Sequence, residues 1–539
     1  MMRFRIVLIV FLFSYLGYSQ EDAWVYFSDK PNSQFYFDNP LQMLSQRSLD
    51  RRTNQNIPLD IKDVPIHQPY IDQITASAGI TVKAKSKWMN ALHIRGSQSD
   101  IFALTALPFV DHVEYANRSL NFKVFAGPDF KRNHPKKFQN ILVNYNYGTS
   151  ATQIQMLNGH ILHQQDYTGA GKIIAVMDSG FPGVNTAAPF QRLFNFNLIL
   201  GGYDFVARTT NPYTGFQHGT QVLSTMGGFV DGQLVGTAPN AAYYLFRTED
   251  ADSENPIEES NWVEAAELAD SLGVDVINTS LGYFEYDNPA YNYTYADMNG
   301  VTSFISRGAN IAFSRGMICV TSAGNSGATS EPHIAVPADA LTTLTVGAVT
   351  ASEIRGGFSS IGPTFDGRIK PDVMAMGVAA TVATETGSIT TNSGTSFAGP
   401  ILAGALTSFW SAFPWFTNAE VIQFVKQSAD RYSTPDNLYG YGIPDFQLAL
   451  NMALLEVNEN NVRNIKVFPN PVKESITVSV PEDIATFHIQ FYNNIGQNVL
   501  SQNSNNYIQN ISLHALPSGI YFYKIDAAST IKTGKLIKQ

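Results

Sequence analysis

The sequence predicts an α/β protein: a parallel sheet flanked by helices, preceded by a small α+β unit and followed by a small antiparallel β-sandwich. Three observations carry this. Between 141 and 455, apolar β-branched runs such as "KIIAVMDSG", "VDVINTSLG", "GMICVTSAGN" and "LTTLTVGAV" alternate with helix-like stretches, the pattern of strands buried on both faces. Residues 21–120 mix strand-like runs ("AWVYF", "ITVKAKS", "ALHIRG", "VDHVEY") with helix-like ones ("PLQMLSQRSLDRR", "QSDIFALTAL"). Residues 465–539 alternate apolar and polar in "ESITVSV", "FHIQFY" and "GIYFYKI", with the turn signals "PNP", "NNIG" and "PSG" between.

The chain opens with "MMRFRIVLIVFLFSYLGYSQ", in which Arg3 and Arg5 precede an apolar run at 6–16 and smaller, polar residues follow. That is the layout of a secretory signal peptide over 1–20. The run is too short to span a bilayer comfortably, and no other stretch reaches that length, so the mature form is expected to be exported and without a transmembrane helix. After the α+β unit, "NFKVFAGPDFKRNHPKKFQN" reads as an exposed basic linker over 121–140, and "EVNENNVRN" at 456–464 as a second, polar linker. The single cysteine, Cys319, lies in an apolar run and is expected to be a buried structural thiol; no intramolecular disulfide is possible.

Charge is divided unevenly. Residues 41–140 hold 14 Lys+Arg against 8 Asp+Glu and 141–455 hold 11 against 27, which is +6 beside −16. A basic segment next to a strongly acidic one points to an intramolecular partner, and the acidic bulk would repel phosphate, which argues against nucleic acid.

Three motifs carry chemistry. "KIIAVMDSG" runs apolar until Asp178, which places a carboxylate where a strand leaves the sheet, the end at which active groups collect in such folds. In "FQHGTQVLSTMGG", His218 precedes an apolar helical run; in "NSGTSFAGP", Ser396 does the same. A serine there is commonly a helix cap, and a lone aspartate at a strand end is commonly a turn residue. Together, in the order Asp, His, Ser, they supply what nucleophilic catalysis needs: a hydroxyl, an imidazole to take its proton, and a carboxylate to orient the imidazole. "TSAGNSG" adds Asn325, whose amide is a candidate oxyanion donor beside the backbone N–H of Ser396.

These pieces, with "NTSLG" at 278–282 and "YGYGIPD" at 439–445, resemble the subtilisin-like serine proteases over about 141–455. The resemblance implies a secreted endopeptidase acting on polypeptides, with Ser396 as nucleophile, His218 as base then acid, Asp178 as orienting carboxylate, Asn325 as oxyanion donor, and Ser280, Leu281 and Gly282 as the strand that holds substrate. It implies no cofactor for the chemistry and leaves structural calcium possible; Asp287, Asp297 and Asn299, in the tyrosine-rich stretch "YFEYDNPAYNYTYADMNG", offer oxygens. That stretch reads either as a loop held by its own aromatics or as an enlarged rim of the substrate groove. The basic unit at 21–120 resembles the inhibitory prosegment of such enzymes, a partner within the chain. The last segment, 465–539, resembles the sorting domain of type IX secretion cargo, which implies that machinery as a partner, export across a Gram-negative envelope, and release or surface attachment. An α/β-hydrolase is disfavoured because that fold orders its residues Ser, acid, His, and the histidines after Ser396 are His488 and His514, both in the last segment. A non-catalytic surface protein that keeps the protease fold is the alternative function.

Overall fold

The computed structural model describes residues 20–121, 144–481, 484, 486–494, 496–527 and 530–539, with side chains for all but 456–464 and 530. The expected signal peptide, 1–20, lies outside the described residues apart from Gln20, and the expected basic linker, 121–140, apart from Asn121. The chain forms two compact units, 1–447 and 448–539.

The first unit begins with the expected α+β element. Its four antiparallel strands run in the order Thr81–Ser86, Ala91–Ser97, Gln20–Phe27, Val110–Tyr115, with helices Gln46–Asn54, Gln68–Thr75 and Gln98–Ala103. Strand alternation divides its apolar residues between two cores. Ala23, Val25 and Phe27 pack with Leu92, Ile94 and Ile101 inside the element. Trp24 and Tyr26 point the other way, into a cluster with Trp262, Phe304 and Ala309. There Trp24 stacks on Phe304 at 4.9 Å between ring centroids, and its Nε1 donates to Ser260 Oγ at 2.8 Å.

The charge imbalance resolves into specific pairs across this contact. Arg52 donates across it to Asp270 at 2.7 Å and within its own element to Asp63 at 2.7 Å, while Arg51 also bonds Asp270. Arg47 reaches Asp275 at 2.5 Å, and Glu267 accepts from Ser86 Oγ and from the backbone N–H groups of Lys87 and Trp88. The traffic is two-way: Arg307 pairs with Glu114 at 2.8 Å and Arg315 with Asp60 at 2.7 Å.

The rest of the unit is built on seven parallel strands in the order Val373–Met376, Leu344–Val349, Ile318–Ser322, Val276–Thr279, Ile173–Asp178, Ala242–Arg247, Ile199–Asp204. The chain starts in Ile173–Asp178, adds two strands on one side, then four on the other. The switch point therefore lies between Ile173–Asp178 and Val276–Thr279, and their carboxyl ends flank the crevice where ligands bind in such sheets. The helix Thr395–Ala412 buries every residue but Ser411, as its apolar and small side chains require. Cys319 is buried, its thiol pushed up to about 12 by that burial.

The second unit has two antiparallel sheets, Lys466–Phe468, Ser475–Ser479, Ile508–Ser512 and Asn498–Ser504, Phe487–Tyr492, Gly519–Ala527, Thr530–Lys538, around Val478, Ile489, Phe491 and Ile525. The segment expected to be a linker, 456–464, is helical, the second half of a helix, Phe446–Asn464. From Gln447 to Asn464 the sequence has neither Pro nor Gly, so a polar stretch extends the helix already begun.

Candidate active site

Asp178 ends its strand fully buried, and its Oδ1 accepts from His218 Nδ1 at 2.8 Å, Ser179 N at 2.8 Å and Ser179 Oγ at 3.2 Å. Next to the histidine, Gly219 permits the close approach: a Cβ there would lie 2.5 Å from Gly180 O and 2.9 Å from Asp178 Cβ. Burial alone would lower the His218 pKa, but the Asp178 charge and hydrogen bond outweigh it and hold the imidazole above its ordinary value. With Nδ1 committed to Asp178, Nε2 is the atom left to exchange protons.

Ser396 is the second residue of Thr395–Ala412, 8% exposed, and the ring of the next residue, Phe397, lies 5.9 Å from that of His218. Its Oγ donates to Ser280 O at 3.4 Å; among the described residues no hydrogen bond joins it to the imidazole. Asn325 sits opposite, its Oδ1 fixed by Thr395 N at 2.9 Å and Thr395 Oγ1 at 3.0 Å. That assignment turns the amide's N–H pair away from Thr395.

A link invisible in the motifs ties Ser280 to Ser396. Pro400 stands four residues after Ser396 and has no N–H, so the Ser396 carbonyl lacks its helical donor. Ser280 Oγ supplies one at 2.9 Å. The helix start and the end of Val276–Thr279 are thereby clamped by a reciprocal serine pair. Beyond it Leu281 and Gly282 belong to no strand and, among the described residues, make no backbone–backbone hydrogen bond, until Tyr283 N donates to Val336 O at 2.8 Å. Backbone groups left so at 281–282 form an open edge of the kind that accepts an extended peptide.

Each of the candidate calcium oxygens has protein partners of its own. Asp297 caps its own turn through Thr294 and pairs with Arg118, Asp287 accepts from Glu254 N and Asn255 Nδ2, and Asn299 bonds Ala296, Val301 and Thr302. Among the described residues no group of three or more His, Cys, Asp or Glu is arranged to hold a metal ion. The tyrosine-rich stretch is tied to neighbouring elements: Tyr286 and Tyr293 both donate to Glu259, at 2.5 and 2.7 Å, and Tyr291 Oη accepts from Asp22 N.

Sequence reading missed a group of carboxyls beside the dyad. Glu249, two residues past the strand Ala242–Arg247, is coupled to Asp178, His218, Glu254 and Tyr283, and burial followed by the Asp178 charge pushes it up to about 8. Glu254 is pushed up to about 7 and Glu258 to about 9, burial again first. The signal available was "RTEDADSENPIEE", an acidic run directly after a strand.

Three family models match the chain. One described as the Peptidase S8 propeptide domain, Bacteroidota, covers 22–136; one described as Subtilase family covers 169–442; one described as a secretion system C-terminal sorting domain covers 466–539. Subtilisin NAT of Bacillus subtilis subsp. natto is 32% identical over 300 residues, 55% of this chain and 70% of its own. A subtilisin of Bacillus pumilus is also 32% identical over 300 residues, covered to 97%, and the alkaline protease of Alkalihalobacillus alcalophilus is 28% identical over 291 residues, covered to 66%. The chain belongs to the subtilase family of serine-type endopeptidases, with a propeptide before its catalytic region and a type IX sorting domain after it.

Proposed function

We propose that this secreted protease hydrolyses peptide bonds through Ser396, His218 and Asp178, with Asn325 and the Ser396 N–H as the oxyanion hole. The observation that carries the reading is the 2.8 Å bond from His218 Nδ1 to the buried Asp178 carboxylate, which leaves Nε2 with the lone pair a general base needs. Ser396 Oγ attacks the scissile carbonyl as Nε2 takes its proton; the imidazolium, stabilised by Asp178, then protonates the leaving amine. Water repeats the sequence on the acyl-enzyme. Before substrate arrives, catalytic hydrogen bonds are often long, and the Ser396 hydroxyl resting on Ser280 O fits that state. The backbone at 280–282 holds substrate as an added strand.

In this reading 1–20 directs export, 21–120 remains docked as an inhibitor after the 121–140 linker is cut, and 465–539 takes the mature enzyme through a Gram-negative envelope to the surface or medium. The chemistry draws on no cofactor. Ser396→Ala should abolish casein hydrolysis in the folded protein, by roughly 10⁴–10⁶ in kcat, and Asn325→Ala should lose roughly 10²–10³, ranges that subtilisin itself supplies. Full activity of Ser396→Ala would overturn the nucleophile assignment, and an inactive wild type would leave the non-catalytic alternative standing.

A further inference from the structure

The carboxyls beside the dyad have no role in the mechanism above. Thr248 N donates to Asp178 O at 3.0 Å, so the segment that carries Glu249 is laid against the catalytic strand's end. Glu258 holds the following loop by accepting from Asp250 N and Asn255 N, both at 2.9 Å, and Glu254 is tied through its backbone to Asp287. Glu249 and Glu254 are half-buried, and among the described residues no ion pair reaches either. Arg247, the arginine of the adjacent strand end, is taken by Asp204 at 3.1 Å and Asp250 at 3.4 Å.

A second observation points the same way. Among the described residues Tyr283 Oη, in a side chain 1% exposed, meets no partner in full hydrogen-bond geometry; it faces Glu249 closely enough to offset part of that carboxyl's upward shift, with Glu254, Glu258 and Glu259 around it. Tyr283 immediately follows the open edge at 281–282 and Glu249 faces Asp178 and His218, so the cluster adjoins both the catalytic pair and the segment that would hold the substrate. We propose that Glu249 and Glu254, with Tyr283 and Glu258 behind them, form a specificity pocket that takes a lysine or arginine side chain of the polypeptide substrate.

The chemistry favours an organic cation. Carboxyls crowded in a buried site without a counter-charge stay protonated, and an ammonium or guanidinium brought among them lets them ionise and pair. The groups facing Glu249 are Asp178, His218, Glu254 and Tyr283, and Asp287 faces Glu254; the imidazole, the one base among them, is committed to Asp178. The chain's own sequence offers such a substrate: the end of the matched propeptide region and the residue after it contain Lys131-Arg132 and Lys136-Lys137, with Asp129 as the one acid between 121 and 140.

The inference rests on the protease reading, and its test separates the two. Peptides that carry arginine, lysine, citrulline or norleucine in turn at each position on the acyl side of the scissile bond are hydrolysed by the processed enzyme, and kcat/KM is compared. One position should favour arginine and lysine over the neutral residues by about tenfold or more, the scale of an ion pair in a half-buried site. The ratio should grow from pH 6 to 9 as the carboxyls ionise, and fall toward one in Glu249→Gln/Glu254→Gln. Cleavage with no cationic preference at any position in the wild type would overturn the pocket. No cleavage of any peptide would overturn the protease reading, and the pocket with it.

Discussion

One helix, Ile257–Leu272, carries carboxyls into two environments, and the contrast shows what fixes their charge. Near its end Asp270 is fully buried, yet Arg52 and Arg51 overcome the burial that would raise its pKa and hold it below the usual carboxylate range. Near its start Glu258 is as deeply buried, receives only backbone N–H groups, and is pushed up to about 9. Burial is common to both; the guanidinium is not. Two groups of acids in the catalytic region thus differ in their partners: one is met by propeptide guanidiniums, and the other, beside the dyad, is not.

Removing the cation from the first group should have the largest effect. Arg52→Ala leaves Asp63 and Asp270 buried without their bridge, a loss of about 3–5 kcal/mol, read as a fall in the urea midpoint of the full chain. Glu249→Gln in the second group should be neutral or stabilising in the same assay, because it removes an uncompensated acid. Equal losses from the two would break the comparison. The propeptide's grip should also resist salt: Arg51 and Arg52 side chains are 4% and 2% exposed, and buried pairs are little screened, so the complex should survive gel filtration up to about 1 M NaCl.

A smaller effect tests the clamp between the two strand ends and the nucleophile. Ser280→Ala leaves the Ser396 carbonyl without a donor, a cost of about 1–3 kcal/mol, with a drop in kcat larger than any change in KM. Pro400→Ala restores a helical N–H to that carbonyl, so the double variant should recover part of the loss. No recovery would show that Ser280 acts elsewhere.

The smallest effect is a displacement of the pH profile. His218 must be neutral to accept the Ser396 proton, and its pKa lies above the ordinary imidazole value, so activity should rise through a midpoint above 6.5 and stay high on the alkaline side. Asp178 sets most of that elevation; Glu249, pushed up to about 8, is protonated over the acid limb, so Glu249→Gln should leave that limb in place.

The strand runs were legible because β-branched residues buried on both faces leave no other pattern, and Asp178, His218 and Ser396 were legible because each sits beside a small-residue turn at an element's end. The carboxyl pocket was not, since Glu249, Glu254, Glu258 and Tyr283 meet only through tertiary folding and carry no fixed spacing. The Ser280–Ser396 pair is separated by 116 residues and depends on a missing N–H at Pro400. The helix reaching Asn464 was read as linker because its polar composition suits either state.

The most direct measurement is labelling of the processed enzyme with a fluorophosphonate, followed by peptide mapping. A nucleophile activated by His218 and Asp178 predicts one adduct per chain, on Ser396, formed faster as pH rises through the imidazole midpoint and absent from His218→Ala. An unlabelled Ser396 in the folded wild type, or equal labelling of His218→Ala, would contradict the account.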